Sequence, residues 1–465
     1  MKRISMLAAA LAVTASAAVA HAQQATTASK TAPPTLIRNA TVMTVTKGTM
    51  ENTDVLIQNG KIAQIGKNLS APAGATVIDG TGKWVMPGII DPHSHMMADA
   101  INEGSLSVTS MVRMTDALNP TAVNILRALA GGVTTINLLH GSANTIGGQN
   151  AVLKLKYGRD ASDMLFPGAE PGIKFALGEN VTQKNSGGGG RNAAGAPARR
   201  YPFTRMGQEE VIRDAFTRAR DYKTDWDEYR ARVAKGEKSL IAPRRDLELE
   251  PLVEVLEGKR MVHAHSYRAD EMLMLLEVAK EFGVKVQTLQ HGLEGYKIAT
   301  EIAQAGTGLS SFADEWSYKI EAYDAIPYNV AILMRHGVIA TVNSDSDERV
   351  RRLNIDAAKM MRYGGLTEDE ALRTITYNGA LQLGVQNKVG SLEIGKDADI
   401  AIWNAHPFSV YASVDKTFID GEVFWDRDKD KAMRENMAKE RADLEKLDQP
   451  QARRTNAILP DGGTK

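Results

Sequence analysis

The stretch VMPGIIDPHSHMM, residues 85–97, sets His93 and His95 one residue apart at the end of an apolar run, in a chain with only nine histidines. Side chains alternate across a strand, so residues at i and i+2 face the same way. Two neutral imidazoles side by side suit a metal ion better than they suit a core. Further groups of this kind recur along the chain. VHAHS carries His263 and His265, TLQHG carries His291, and TVNSDS carries Asp345, each closing an apolar run. GIKFALGEN holds Lys174 inside another such run, with Glu179 just past its end. Any one of these reads equally well as a satisfied buried residue. If the runs are strands whose ends meet at one rim, the set converges, and its chemistry is that of a cation held by nitrogen and oxygen donors. Cysteine is absent, which excludes disulfides, thiolate metal sites and cysteine nucleophiles.

The elements that must position these groups can be read from periodicity. Residues 88–387 alternate strands and helices. PTAVNILRALAGG is an amphipathic helix closed by glycine, and VTTINLLHG is the strand after it. KRMVHAHS, RADEMLMLLEVAKEFG and VKVQTLQHG repeat strand, helix and strand. AIPYNVAILMRHG and VIATVNSDS follow, and LTEDEALRTITYNGALQLG opens on a capping box, Thr367 with Glu370. Repeated β-α units imply an α/β fold with a parallel sheet, and a segment of this length with polar residues at strand ends predicts a (β/α)8 barrel. The flanking residues 36–87 and 388–430 differ: short β-rich runs are separated by Asn-Gly and Asp-Gly turns. They predict one small β domain built from both ends of the chain.

Residues 1–22 have a basic start, an apolar stretch and Ala20-His21-Ala22, the pattern of a secretory leader cleaved after Ala22. An exported, periplasmic protein is expected, with no membrane association once the leader is removed. Lys+Arg and Asp+Glu balance at 56 each, so no overall charge draws the chain to nucleic acid. The segment 185–205 is rich in Gly, Ala and Arg and reads either as a lid or as a disordered insertion. Residues 431–465 read as a charged tail, either a solvated face or a homo-oligomer contact.

MPGIIDPHSH, the pair HAH and QHG, NSDS and the late GSLEIGKDADIAIW together make the chain resemble the amidohydrolase superfamily, closest to its exported imidazolonepropionase-like and dipeptidase-like members. The resemblance covers nearly the whole mature chain. It implies a distorted (β/α)8 TIM barrel with a small β-sandwich, and one or two divalent ions at the barrel mouth, zinc first, with manganese or iron as alternatives. It makes His93 and His95 first-strand ligands, His291 the sixth-strand ligand and Asp345 the eighth. Lys174 matches the position of a carboxylated lysine that bridges two metals, with Glu179 the nearest replacement. His263 matches the fifth-strand ligand, with His265 the alternative.

From that ligand set follows a mechanism. A metal-activated hydroxide attacks a carbonyl, Asp345 shuttles the proton to the leaving nitrogen, and His291 holds a second metal or stabilises the oxyanion. The expected reaction is hydrolysis of a C–N bond in a small molecule: a cyclic amide, a dipeptide or an N-acyl compound. Ester, lactone or phosphoester hydrolysis is the alternative chemistry, and a non-catalytic binding or scaffold protein is the alternative class. His140, Tyr267 and Arg268, with Asn144 and Gln149, are candidates for the substrate pocket. For His140, Asn144 and Gln149 the competing reading is an ordinary loop after a strand; for Arg268 it is a salt bridge at a helix start.

Overall fold

In a computed structural model the protein is described over residues 32–182 and 200–447. The expected leader, most of the 185–205 segment and the end of the tail lie outside the described residues. Both ends of the chain do build one small β domain. Strands Thr35–Met43, Thr49–Gln58, Lys61–Gly66, Thr76–Asp79 and Trp84–Pro87 join Ile400–Trp403, Val414–Ile419 and Glu422–Asp426 in one eight-stranded sheet. The two ends meet where Trp84–Pro87 pairs antiparallel with Ile400–Trp403. Asn59-Gly60 and Asp420-Gly421 turn two of its hairpins, all four residues at positive φ, as such two-residue turns require. Ile37, Val55, Ile62, Ile400 and Phe418 anchor the domain's own apolar core.

The central segment is a distorted (β/α)8 barrel. Strands Ile89–Ser94 and Val133–Leu138 pair in parallel. Gly172–Ala176, Met261–Ser266, Val286–His291, Gly308–Ser311 and Ala340–Val342 form a second parallel run in chain order. Between these groups the third position departs from expectation. Ile146–Gln149 and Ala151–Lys154 fill it, antiparallel to both neighbours. The loop reading of 140–154 therefore holds only for its first residues. The chain reverses over residues 141–145 with no crossover helix, and a direct return of that kind must run antiparallel. Gly147 and Gly148 let this strand pass against the His140 ring: a Cβ on Gly147 would sit 2.7 Å from its Nδ1.

Among the described residues no ladder closes the cylinder between Ala340–Val342 and Ile89–Ser94. Hydrogen bonds span that seam instead. Asp345 N–H donates to His93 O (3.2 Å), and the Ser344 hydroxyl donates to the fully buried Asp91 (2.6 Å). Helices pack outside the strands. Ala269–Phe282 ends on Gly283 at φ 69, and Glu368–Thr374 opens on the expected capping box. A helix the sequence reading did not single out, Arg205–Ala234, buries Val211, Ile212, Ala215 and Phe216 along its first half. Arg427–Leu447 is the charged tail's helix, exposed along nearly its whole length. No helix among the described residues is long and apolar enough to cross a membrane.

Candidate metal centre

Every expected donor lies at or near the C-terminal end of its strand, and most of them meet. His93 Nε2 and His95 Nε2 are 3.3 Å apart. Asp345 Oδ1 lies 3.4 Å from the first and 3.2 Å from the second, and Asp345 Oδ2 lies 3.7 Å from His291 Nε2. Lys174 Nζ is 3.4 Å from His93 Nε2. His93, His95 and Asp345 offer donors all within 4.8 Å of one another.

The hydrogen bonds behind the rings decide what the front can do. His93 Nδ1–H donates to Gln290 Oε1 (3.0 Å), and His95 Nδ1–H donates to Leu139 O (2.9 Å). With the protons fixed on Nδ1, each Nε2 turns a bare lone pair toward the other. Burial holds both imidazoles neutral: His93 falls well below the ordinary histidine range, and His95 to about 3, with the Lys174 ammonium adding to the effect. Two lone pairs and a carboxylate facing one point repel unless a cation lies among them. The donor set therefore fits a divalent first-row ion.

Gln290 was not among the expected site residues, because a lone buried Gln in a strand carries no motif. Gln290→Leu removes the acceptor that fixes the His93 tautomer and is expected to weaken metal binding about 10- to 100-fold. Chelator competition measures this, and Gln290→Glu, which keeps an acceptor, is expected to retain most of the affinity.

The remaining donors divide. His263 pairs in register with Lys174 on the neighbouring strand. Its Nδ1 is buried without a hydrogen-bond partner, as is His291 Nδ1. The orphaned His263 nitrogen is of the kind a bound cation would satisfy, whereas His291 turns its other nitrogen, Nε2, toward Asp345. His265 lies toward the mouth, its ring 4.7 Å from His291 and 4.8 Å from Tyr267, with Asn180 Nδ2 at 3.5 Å from its Nε2. Both fifth-strand histidines thus border the cluster, His263 beside Lys174 and His265 beside His291. Lys174 is buried, and desolvation lowers its ammonium to about 7. Glu179 lies beyond the strand, where its backbone N–H donates to Glu321 (3.0 Å). His291 and Asp345 both have positive φ, 71° and 44°, strained for side chains with a Cβ and common at functional positions.

The pocket candidates fare differently. Tyr267 is buried and stacks on His291, ring centroids 5.2 Å apart, with its hydroxyl 2.6 Å from that of Tyr318. Arg268 pairs with Asp270 in the first turn of the following helix, the competing reading for that residue. His140 is engaged by backbone: Nδ1–H donates to Gly141 O, and Nε2 accepts from Glu103 N–H. Asn144 and Gln149 likewise donate to carbonyls of Glu103, Leu106 and Ser110. These three hold the 103–110 segment against the rim, His140 and Asn144 from the loop that the alternative reading expects and Gln149 from the end of a strand.

Comparison with known proteins shows the family of the chain. The amidohydrolase family matches residues 327–424, the end of the barrel and the return into the sheet domain. The amidohydrolase tasK of Hapsidospora irregularis is 30% identical over 439 residues, covering 84% of this chain but 43% of that protein, so this chain spans less than half its length. The imidazolonepropionase of Mesorhizobium japonicum is 25% identical over 79% of this chain and 91% of its own. The crystal structure of an amidohydrolase from Thermotoga maritima MSB8 superposes with a TM-score of 0.76, is 33% identical and is covered over 100% of its length by 84% of this chain. With that identity across the whole of a solved relative, this chain belongs to the amidohydrolase superfamily.

Proposed function

We propose that this protein is a metal-dependent hydrolase that cleaves a C–N bond in a small N-acyl or peptide-like molecule. The observation that carries the reading is the pair of Nε2 lone pairs on His93 and His95, turned on one point beside Asp345 and Lys174. A divalent ion bound there, zinc or else manganese or iron, would supply Lewis acidity and an acidified water at neutral pH. His93, His95, His263, His291 and Asp345 would hold it. Lys174 joins them as a carbamate: its neutral amine adds to CO2 with loss of one proton, replacing a repelled ammonium with an anion.

Asp345 is the proton carrier. Its carboxylate accepts the proton of the attacking water as the new C–O bond forms, then delivers it to the nitrogen as the C–N bond breaks. Phe312 and Tyr267 flank His291 (ring centroids 4.7 and 5.2 Å) and keep bulk water from that side. The leader-like residues 1–22 support export, and we extend the proposal to an exported enzyme.

The test is metal content and turnover together. Purified mature protein should carry stoichiometric metal and hydrolyse members of a panel of dipeptides, N-acyl amino acids and cyclic amides. Chelation should lower turnover at least about a hundredfold, with recovery on adding zinc, manganese or iron. A protein free of metal and indifferent to chelator would leave the scaffold reading in its place.

A further inference from the structure

We infer that Lys319 is the residue that selects substrates bearing a carboxylate, by binding that group at the mouth of the metal centre; the inference rests on the hydrolase reading above. Lys319 lies in the segment that follows strand Gly308–Ser311 and crosses the rim. Its ammonium sits 4.0 Å above the Tyr267 ring, and the other members of this stack are His291 and Phe312. It also lies 3.3 Å from Asn180 Oδ1, and Asn180 in turn reaches His265. This places a cation one aromatic ring away from donors built to hold another cation.

Like charges so close repel, and the low-dielectric setting makes the repulsion larger. Something anionic must offset it. In the free protein that is Glu321, 2.8 Å from Nζ. The same carboxylate, however, also receives the Glu179 N–H (3.0 Å) and lies 3.7 Å from Arg205. Arg205 and Lys319 thus share Glu321, while Arg205 pairs more closely with Glu271. Arg268 and Arg349 are paired with carboxylates away from this stack, Arg268 with Asp270 and Arg349 with Asp314 and Glu315. Lys319 instead lies over the Tyr267 ring that stacks on His291, and is 14% exposed. A substrate whose amide carbonyl reaches the metal donors would bring a carboxylate on its leaving side toward this ammonium, past the Tyr267 ring that separates it from His291. Dipeptides and N-acyl amino acids have that form, whereas a neutral cyclic amide does not.

The experiment uses metal-loaded full-length mature protein and matched pairs: dipeptides and N-acetyl amino acids, each beside the same compound with its carboxylate replaced by a carboxamide. The wild type is expected to show a KM for the carboxylate member lower by about 10- to 100-fold, the worth of one charge-assisted contact. Lys319→Met should collapse that ratio toward one, the loss falling on the carboxylate member, while Lys319→Arg should preserve most of it. Glu321→Gln keeps an acceptor for Glu179 N–H but removes the competing charge, and should lower KM for the carboxylate member further. A ratio that Lys319→Met leaves unchanged, with pairs still turned over, overturns the role of Lys319 and leaves the hydrolase reading standing. No turnover of any pair by metal-loaded wild type overturns both.

Discussion

Asp345→Asn is expected to lower turnover about 10²- to 10⁴-fold while leaving the fold and most of the bound metal in place. The magnitude is that of a positioned general base that then serves as acid. The substitution is unusually clean at this position. Asp345 has φ 44°, a conformation that costs most side chains energy but that Asn tolerates about as well as Asp. Asn keeps one oxygen where Oδ1 now faces His93 and His95, so a donor remains. What it cannot do is carry a proton between water and leaving nitrogen. Its backbone N–H to His93 O, part of the seam, is unaffected. Steady-state rates read beside metal content and thermal midpoint separate these effects. Near-normal turnover with metal bound would remove Asp345 from the proton path and require another base.

How much of this centre could be read in the sequence depends on what strand periodicity encodes. His93 with His95, and His263 with His265, were legible because the period of two places both members on one face whatever the surrounding fold. Lys174 was legible for the same reason, as the polar residue of an inward-facing register. His291 is a different case. Its strand pairs His265 with Gln290 and Ser266 with His291, so regular alternation sends Gln290 inward and His291 away. The left-handed turn at His291 is what brings its ring back beside His93 and Asp345. His291 is legible in the sequence as the histidine that closes the TLQHG run, whereas Gln290, whose amide sets the His93 tautomer, carries no such mark.

Strand direction is the other quantity that periodicity leaves open. The alternation of Ile146–Gln149 and Ala151–Lys154 is the same whether the strand runs up or down, and only the missing crossover helix reveals it. The sheet domain was easier, because Asn59-Gly60 and Asp420-Gly421 announce their turns through residues that tolerate positive φ. Asp91 and Ser344 were hidden for a third reason: they are 253 residues apart in sequence and meet only where the first and last barrel strands approach.

The same antiparallel strand supplies the largest expected loss of stability. Lys154→Met should destabilise the protein by about 3–5 kcal/mol, the cost of removing one side of a buried ion network. Lys154 is almost wholly buried at the end of Ala151–Lys154, and its ammonium meets three carboxylates: Asp397 at 2.8 Å, Asp399 at 3.2 Å and Asp420 at 2.5 Å. Two of these come from the GKDADI stretch and the third from the Asp420-Gly421 turn, so the lysine joins barrel to sheet domain. Without it, Asp399, itself buried, keeps only the Asp420 backbone N–H and faces two other carboxylates. Methionine fills much the same volume and still packs against Phe166, over which the ammonium lies at 4.8 Å, so the loss reports charge and not a cavity. Urea unfolding of wild type and Lys154→Met decides the matter. The double change Lys154→Met with Asp399→Asn should recover part of the loss, because one stranded carboxylate is removed with its partner. Equal midpoints for wild type and Lys154→Met would mean that water reaches this network, and that Lys154 adds nothing net to the joining of barrel and sheet domain.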